Sequence, residues 1–234
     1  MRVHKLHRWT LSYEQAVELQ VRLARRVLLK GVPRKISTVA GADVSYDTEK
    51  NLLVAGIVVL DACTLELVER AYAVRRCRFP YIPGLLSFRE CPALLAAARK
   101  IRRPPSVLVV DSQGIAHPRR FGLASHLGLW LDLATVGCAK SWLVGEYEEP
   151  GPQRGAWTPL RFQGRQVGAV VRTRNNVRPV FVSPGHRMSV RLAVRIVLQT
   201  GAGFRLPEPV RQAHLFVNKI RRSLKTRGAR RRPK

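Results

Sequence analysis

Residues 106–111 read Ser-Val-Leu-Val-Val-Asp, a short apolar run that ends in an acid. Its central residues are apolar without alternation, which is typical of a short strand buried on both faces at the centre of a parallel sheet. Polar ligands of such sheets lie beyond the carboxyl ends of the strands, so Asp111 stands where a ligand is expected. Taken alone, Asp111 could equally cap the turn that residues 112–114 (Ser-Gln-Gly) predict.

The segments around this strand predict an α/β domain with a mixed sheet. Before it, residues 36–46, 52–60 and 65–76 predict an antiparallel meander, and an amphipathic helix with a Ser12/Gln15 capping box precedes them over residues 12–29. The remaining predicted strands are 139–144, 166–172 and 179–183, and the remaining predicted helices are 87–101, 123–135, 189–199 and 207–223. Hairpins followed by alternating helices and strands favour this class.

The composition argues against several classes of protein. With 42 Lys and Arg against 15 Asp and Glu, the net charge of +27 predicts a polyanionic partner, either nucleic acid or an anionic membrane surface. A hydrophobic content of 46% argues against a disordered basic protein. No apolar run reaches the roughly 18 residues that span a bilayer, and residues 1–10 lack the apolar region of a secretory signal. We therefore expect no membrane association and a cytoplasmic protein.

The cysteines and the basic carboxyl-terminal region carry two further expectations. The four cysteines form no CxxC pair, which predicts reduced, buried thiols and not a zinc site. Residues 150–234 hold 20 Lys and Arg but one acid, Glu208. We expect residues 223–234 to form a disordered basic tail, either solubilising or in contact with nucleic acid, and contact would make binding strongly salt-dependent.

Three acids stand where a role in solubility does not explain them. Asp43 lies inside a predicted strand between small and apolar neighbours, Glu90 lies in the first turn of a predicted helix, and Asp111 ends the central strand. Carboxylates that met at one site would repel each other unless divalent cations neutralised them, and oxygen ligands favour Mg²⁺ or Mn²⁺. Glu90 alone could instead interact with the helix dipole, and spacing does not establish that the three converge.

Several longer stretches resemble the endonuclease V family. Residues 78–90 (RFPYIPGLLSFRE) are similar to its PYIPGLLSFRE motif, and residues 111–128 (DSQGIAHPRRFGLASHLG) to a second family segment. Shorter similarities lie at residues 39–46, 137–141 and 183–186. The resemblance implies an RNase H-like fold over residues 1–222, with a mixed, five-stranded core sheet flanked by helices on both faces. It also implies an enzyme that cleaves the second phosphodiester bond 3′ to deoxyinosine in damaged DNA. The products would carry a 3′-hydroxyl and a 5′-phosphate, and Mg²⁺, with Mn²⁺ as substitute, would be required.

Residue by residue, the resemblance assigns roles to matching positions. Asp43, Glu90 and Asp111 match the metal-binding carboxylates, Lys140 matches a lysine near the scissile phosphate, and His214 matches an active-site histidine. Tyr81 matches a wedge residue that inserts beside the lesion. The implied substrate-binding residues are Pro83, Gly84, Leu86, Ser112, His117, Gly122 and Leu123. Without the resemblance, His214 would be an ordinary helix histidine and Tyr81 a cover for the edge of the core.

The sequence departs from the family pattern at one position, and it leaves two other functions open. Ser112 replaces a family glycine, and its side chain would alter lesion preference if close approach to the base required glycine. The chain could instead cleave inosine-containing RNA, or it could be a catalytically silent nucleic-acid-binding protein. We expect a monomer.

Overall fold

The computed structural model describes residues 1–31, 33 and 35–229, and their strands form one mixed sheet. Its eight strands lie in the order β3-β2-β1-β4-β5-β8-β7-β6. The strands are β1 (Thr38–Asp47), β2 (Leu52–Asp61), β3 (Leu67–Arg76), β4 (Val107–Val110), β5 (Thr135–Ala139), β6 (Trp157–Phe162), β7 (Arg165–Val171) and β8 (Val180–Pro184). The helices are α1 (Tyr13–Ala24), α2 (Leu86–Ala98), α3 (Leu123–Leu131), α4 (Val190–Gln199) and α5 (Glu208–Ala229).

The centre of the sheet is parallel and its flanks are antiparallel. β1 pairs with β4, and β4 with β5, in parallel. The predicted meander is confirmed, since β2 pairs antiparallel with both β1 and β3. All four residues of β4 are buried, as an apolar central strand requires.

Helices cover both faces of this sheet, which confirms the α/β prediction. On one face, α2 and α3 pack with Ala40 and Ala42 of β1. On the other, α4 and the start of α5 pack with Val39. Gly41 lies on this second face, and a Cβ atom there would stand 1.8 Å from the carbonyl oxygen of Pro209. The absence of a side chain at Gly41 therefore lets the backbone of α5 lie directly on β1.

Several predicted boundaries are wrong. The helix predicted over 123–135 ends at Leu131, because Asp132 adopts a left-handed conformation with φ 49° and its N–H bonds to the carbonyl of Gly128. β5 therefore occupies Thr135–Ala139 and not 139–144. The strand β6 was not predicted, and Pro159 within it is tolerated because β6 lies at the edge of the sheet. The mixed five-stranded core that the resemblance implied corresponds to β3-β2-β1-β4-β5, and β8, β7 and β6 extend the sheet to eight strands.

The helices also differ from the predictions in ways that concern the site. α2 begins at Leu86, so Glu90 lies in its second turn and not its first, and Pro92 lies inside the helix. α1 keeps the predicted capping box but ends at Ala24. α5 continues to Ala229, so residues 223–229 of the expected tail are helical, whereas residues 230–234 lie outside the described residues.

Two smaller expectations can be compared with the structure. Cys77, Cys91 and Cys138 are buried free thiols, as expected, whereas Cys63 is exposed because it lies in the turn between β2 and β3. Across the described part of the chain, no helix combines the length and the apolar character needed to cross a membrane.

Candidate active site

The central strands bring two predicted site residues together at the end of the sheet where the parallel strands β4 and β5 finish. We call this end the sheet edge. Ala42 of β1 is the register partner of Val110 of β4, so Asp43 and Asp111, the next residues, lie side by side. The backbone N–H of Asp111 donates to the carbonyl of Ala42 at 3.1 Å. Both carboxylates therefore lie where polar ligands bind in parallel sheets.

The packing of α5 on Gly41 adds His214 to these carboxylates. Nδ1 of His214 lies 2.8 Å from Oδ2 of Asp43. One ligand atom from each of Asp43, Asp111 and His214 can be chosen so that all lie within 4.8 Å of one another. Two hard carboxylate oxygens and an imidazole nitrogen suit a divalent metal ion, so the donor chemistry fits the expected cation.

Asn218, one turn further along α5, orients the His214 ring. Its amide nitrogen lies 3.2 Å from Nε2 of His214 and also donates to the His214 carbonyl at 2.9 Å. Its amide oxygen accepts a hydrogen bond from the Ser45 hydroxyl at 3.0 Å. This network makes Nε2 of His214 an acceptor and leaves Nδ1 to donate to Asp43.

Lys140 lies at the same edge, directly after β5. Its ammonium group lies 2.5 Å from Oδ2 of Asp111 and remains partly exposed. The chain around it is held by Arg205, which donates to the Lys140 carbonyl at 2.6 Å, and by Gln113, which donates to the carbonyl of Ser141 at 3.2 Å. A cation held in this way can contact a phosphate that approaches Asp111.

Two carboxylates near this site, Asp43 and Glu90, have raised pKa values. Burial raises the pKa of Asp43, the nearby charge of Asp111 raises it further, and the hydrogen bond from His214 opposes both. Burial, followed by the charge of Asp43, raises the pKa of Glu90 to about 8. Such shifts are typical of sites that bind a cation or perform proton transfer.

The role of Glu90 as a metal ligand stays a prediction. Among the described residues, the group within 4.8 Å consists of Asp43, Asp111 and His214, and Glu90 lies outside it. Glu90 belongs to α2, which packs on the opposite face of the sheet from α5. It is still close enough for the charges of Asp43 and Asp111 to raise its pKa.

The predicted wedge loop, residues 79–85, exposes several of its side chains at the surface. Tyr81 is 69% exposed, and Pro83 is exposed as well. The N–H of Leu85 donates to the carbonyl of Ile82, which closes a turn with Gly84 at φ 78°. A turn with proline second and glycine third is stiff, so Tyr81 is presented by a rigid loop.

Three side chains converge on the carbonyl of Gly84. Gln20 and Arg119 donate to it at 3.0 and 2.8 Å, and Nε2 of His117 lies 3.0 Å away. Burial, followed by the charge of Arg119, lowers the pKa of His117 to about 4, so the ring is neutral. Its Nδ1 accepts from the backbone N–H of Arg119 at 3.2 Å. The buried His117 ring therefore holds the loop in place, and the substrate contact that the family resemblance implies for His117 stays a prediction.

The residues predicted to form the base pocket lie in segments that touch. Gln20 also donates to the carbonyl of Phe121 at 3.1 Å, which links the Gly84 turn to Gly122 and Leu123. The N–H of Gly122 in turn donates to the carbonyl of Gly114, close to Ser112. Leu86 and Ser112 are half-buried, whereas Gly122 and Leu123 are buried. Ser112 is not among the residues with positive φ, so its backbone does not require the family's glycine.

Sequence reasoning missed the residues that position this site. Gln20 is fully buried on the apolar side of α1, and Arg119 donates to its side-chain oxygen at 2.6 Å. A polar residue on the apolar face of an amphipathic helix was the available signal for Gln20. Asn218 and Arg205 carried no comparable signal, because their partners are distant in sequence.

Comparison with known proteins shows which family this chain resembles. The family model described as Endonuclease V matches residues 21–215. Endonuclease V of Geotalea uraniireducens (strain Rf4) is 52% identical over 205 residues, covering 88% of this chain and 87% of that protein. The crystal structure of Endonuclease V from Streptomyces avermitilis has a TM-score of 0.88 at 43% identity, and the match covers 97% of this chain and 100% of that chain.

A third similar structure contains nucleic acid. It is Endonuclease V of Ciona intestinalis in complex with a 24mer DNA containing an inosine followed by a ribo-adenosine, with a TM-score of 0.78 and 26% identity. The match covers 88% of this chain and 96% of that chain. The RNase H-like α/β fold expected from the sequence is confirmed by these structures. The matched residues span both the sheet edge and the wedge loop, and this chain therefore belongs to the endonuclease V family and is an endonuclease of that type.

Proposed function

We propose that this chain, as a cytoplasmic monomer, nicks the second phosphodiester bond 3′ to a deoxyinosine and leaves a 3′-hydroxyl and a 5′-phosphate. Mg²⁺ is the proposed cofactor, and Mn²⁺ its substitute. The observation that carries the proposal is the group of Asp43, Asp111 and His214 at the sheet edge. The inosine-containing DNA bound by the Ciona relative supports the choice of lesion.

The residues of the sheet edge would act on the phosphodiester. Asp43, Asp111 and His214 would hold the cation, His214 through a ring nitrogen released from its present hydrogen bond. Glu90 would join them from the other face of the sheet once it has lost its proton. A bound divalent cation would supply an activated water and stabilise the charge that develops on the attacking and leaving oxygens. Lys140 would exchange part of its ion pair with Asp111 for a contact with the phosphate, which its ammonium group would orient.

The wedge loop would recognise the lesion. Tyr81 would enter the duplex beside inosine, where its ring replaces the stacking that is lost when the base leaves. The inosine base would then enter the pocket lined by Gly84, Leu86, Ser112, Gly122 and Leu123. Hypoxanthine presents O6 and N1–H where adenine presents an amino group and N1, so backbone donors and acceptors suffice to distinguish them.

The test is a nicking assay on an end-labelled duplex with one deoxyinosine. With Mg²⁺ we expect a single cut at the second bond 3′ to the lesion, and with EDTA no cut. Asp43→Asn should abolish the cut while leaving binding nearly intact, because the basic surface supplies most of the affinity. Asp132→Asn is the matched control, since Asp132 is an exposed partner of Arg187 away from the site, and it should cut like the wild type.

Two outcomes would contradict the proposal. Wild-type cutting by Asp43→Asn would remove the metal site from the sheet edge, and a cut at another bond would refute the proposed position. A matched strand with riboinosine in place of deoxyinosine tests the alternative substrate. Faster cutting of that strand would make inosine-containing RNA the substrate of this chain.

A further inference from the structure

A basic groove lies beside the wedge loop, whose residues Phe79, Pro80 and Ile82 form part of its lining. It has a volume of about 560 Å³ and lies between the amino-terminal segment, the end of β3 and the start of the loop. We name it the arginine–aromatic groove and define it by Trp9, Tyr13, Arg75, Arg76, Arg78 and Phe79. No acidic side chain is among the described residues that line it. Its chemistry therefore suits an anion that carries an apolar or aromatic part.

The cations of this groove are free to bind a ligand. Arg75, Arg76 and Arg78 are exposed at the end of β3 and just beyond it. Within the part of the chain that the structure describes, none of their guanidinium groups forms a side-chain hydrogen bond or an ion pair with another residue. Three neighbouring guanidinium groups without acidic partners repel each other, and a phosphate would relieve that repulsion.

The aromatic wall of the groove is preformed. The Trp9 ring stacks on Trp130, with centroids 4.9 Å apart and planes 18° apart. Phe79 packs against Phe88 at 5.7 Å, and Tyr13 is 52% exposed beside them. Aromatic side chains that are already held in place can stack with an unpaired base at little entropic cost.

The wedge loop contributes residues both to this groove and to the proposed base pocket. Phe79 and the following proline form one wall of the groove, at the first end of the loop. Gly84 and Leu86, at the other end, belong to the proposed pocket for inosine. Tyr81 stands between the two ends. When Tyr81 enters the duplex and inosine moves to one side, the base that was paired with inosine is left without a partner on the other strand.

We propose that the arginine–aromatic groove binds the nucleotide opposite inosine on the complementary strand. Its base stacks on the aromatic wall, and its flanking phosphates contact Arg75, Arg76 and Arg78. This inference rests on the proposed function, because it requires a wedge that opens an inosine base pair. It gives the protein a contact that a duplex can make and a single strand cannot.

The experiment compares a duplex with a single strand. Binding of an inosine-containing oligonucleotide is measured in EDTA by fluorescence anisotropy, as a duplex and as the isolated inosine strand, over a range of salt. The variant is Arg75→Ala/Arg76→Ala. The control is Arg102→Ala/Arg103→Ala, which removes the same charge from another exposed pair near Glu69, toward the opposite end of β3.

For the duplex, we expect the groove variant to bind about tenfold more weakly and to lose roughly two from its logarithmic salt slope, as the loss of two phosphate contacts requires. For the single strand, we expect affinity to change by less than about twofold, and the control variant to behave like the wild type in both assays. With 2-aminopurine opposite inosine, the emission change on binding should be lost in the groove variant and kept in the control.

Equal losses for the duplex and the single strand, or an equal loss in the control, would overturn the inference. An unchanged melting temperature shows that the groove variant is folded. Arg78→Ala is a second variant, and a loss of duplex affinity as small as that of the control would also count against the inference. Failure of the proposed function is distinguishable, because the wild type would then not nick inosine at all.

Discussion

Substitution of Gly41 by alanine tests whether the close packing of α5 on β1 positions the residues of the site. The added Cβ atom would stand 1.8 Å from the carbonyl oxygen of Pro209 and 2.7 Å from the backbone nitrogen of Val210. These atoms are backbone, so no side-chain rotation removes the overlap. An ordinary contact begins at 3.4 Å, so the start of α5 has to move away by about 1.6 Å.

The displacement carries His214 with it, because His214 lies in the second turn of α5. Its Nδ1 is 2.8 Å from Asp43, a distance that a shift of this size breaks. A misplacement of about 1 Å at a reacting centre costs on the order of a hundredfold in rate, and overpacking costs about 1–3 kcal/mol of stability. We therefore expect Gly41→Ala to nick inosine duplex about a hundredfold more slowly and to melt several degrees lower.

Gly56→Ala is the matched control. Gly56 lies opposite Asp43 on β2 and also faces α5, but its Cβ atom would meet the side chains of Val217 and Phe216 at 2.6 and 3.1 Å. Side chains can adjust where backbone cannot, so we expect a loss in rate of less than about fivefold. Rates are measured by single-turnover nicking and stability by thermal melting. A Gly41→Ala variant with wild-type rate and melting temperature would refute this account of the site.

Three further predictions concern the wedge, the proton balance and the basic terminus. Tyr81→Ala should reduce the preference for inosine over undamaged duplex by about tenfold or more, because a stacking contact of about 1–3 kcal/mol is lost. Competition binding with both duplexes measures this preference, and an unchanged preference would remove the wedge role. The pKa of Glu90 is raised from 4.5 to about 8, so the folded protein keeps a proton that the unfolded chain has released. In EDTA, the free energy of unfolding should therefore fall as the pH rises through the window from 4.5 to about 8. Urea titrations should show this slope reduced in Glu90→Gln, and an equal slope in both proteins would contradict the assignment. Deletion of residues 230–234 removes four basic residues, and the logarithmic salt slope of binding should become shallower by up to about 3 or 4. A filter-binding series in KCl checks this, with an unchanged slope as the contrary result.

The sequence predicted the elements whose signal is local. The apolar run before Asp111, the three-stranded meander and the capping box at Ser12 were all confirmed. Several of the predictions that were wrong concern boundaries, and the clearest of these lies between α3 and β5. The helix that ends at Leu131 passes into β5 after three residues, and only the left-handed turn at Asp132 separates them.

The residues of the candidate site also differ in how far the sequence alone predicts their positions. The sequence reveals that Asp111 ends the central strand, but its position beside Asp43 depends on the parallel pairing of β4 with β1. The place of Glu90 outside the close group, and the entry of His214 into it, depend on which helix covers which face. Arg119 and Asn218 depend on partners far along the chain, Gln20 and Ser45, so no local pattern predicts their roles. Gln20 alone carried a local signal, as a polar residue on the apolar face of α1.

The parallel centre of the sheet, the large positive charge and the family motifs can all be inferred from the sequence, because each depends on residue type and short-range order. Only the tertiary structure decides that α5 rests on Gly41, that an imidazole stands beside two carboxylates, and that unpaired arginines surround an aromatic groove. Those distances arise when elements separated by more than a hundred residues pack against one sheet, and close packing between backbones is a property of the whole fold.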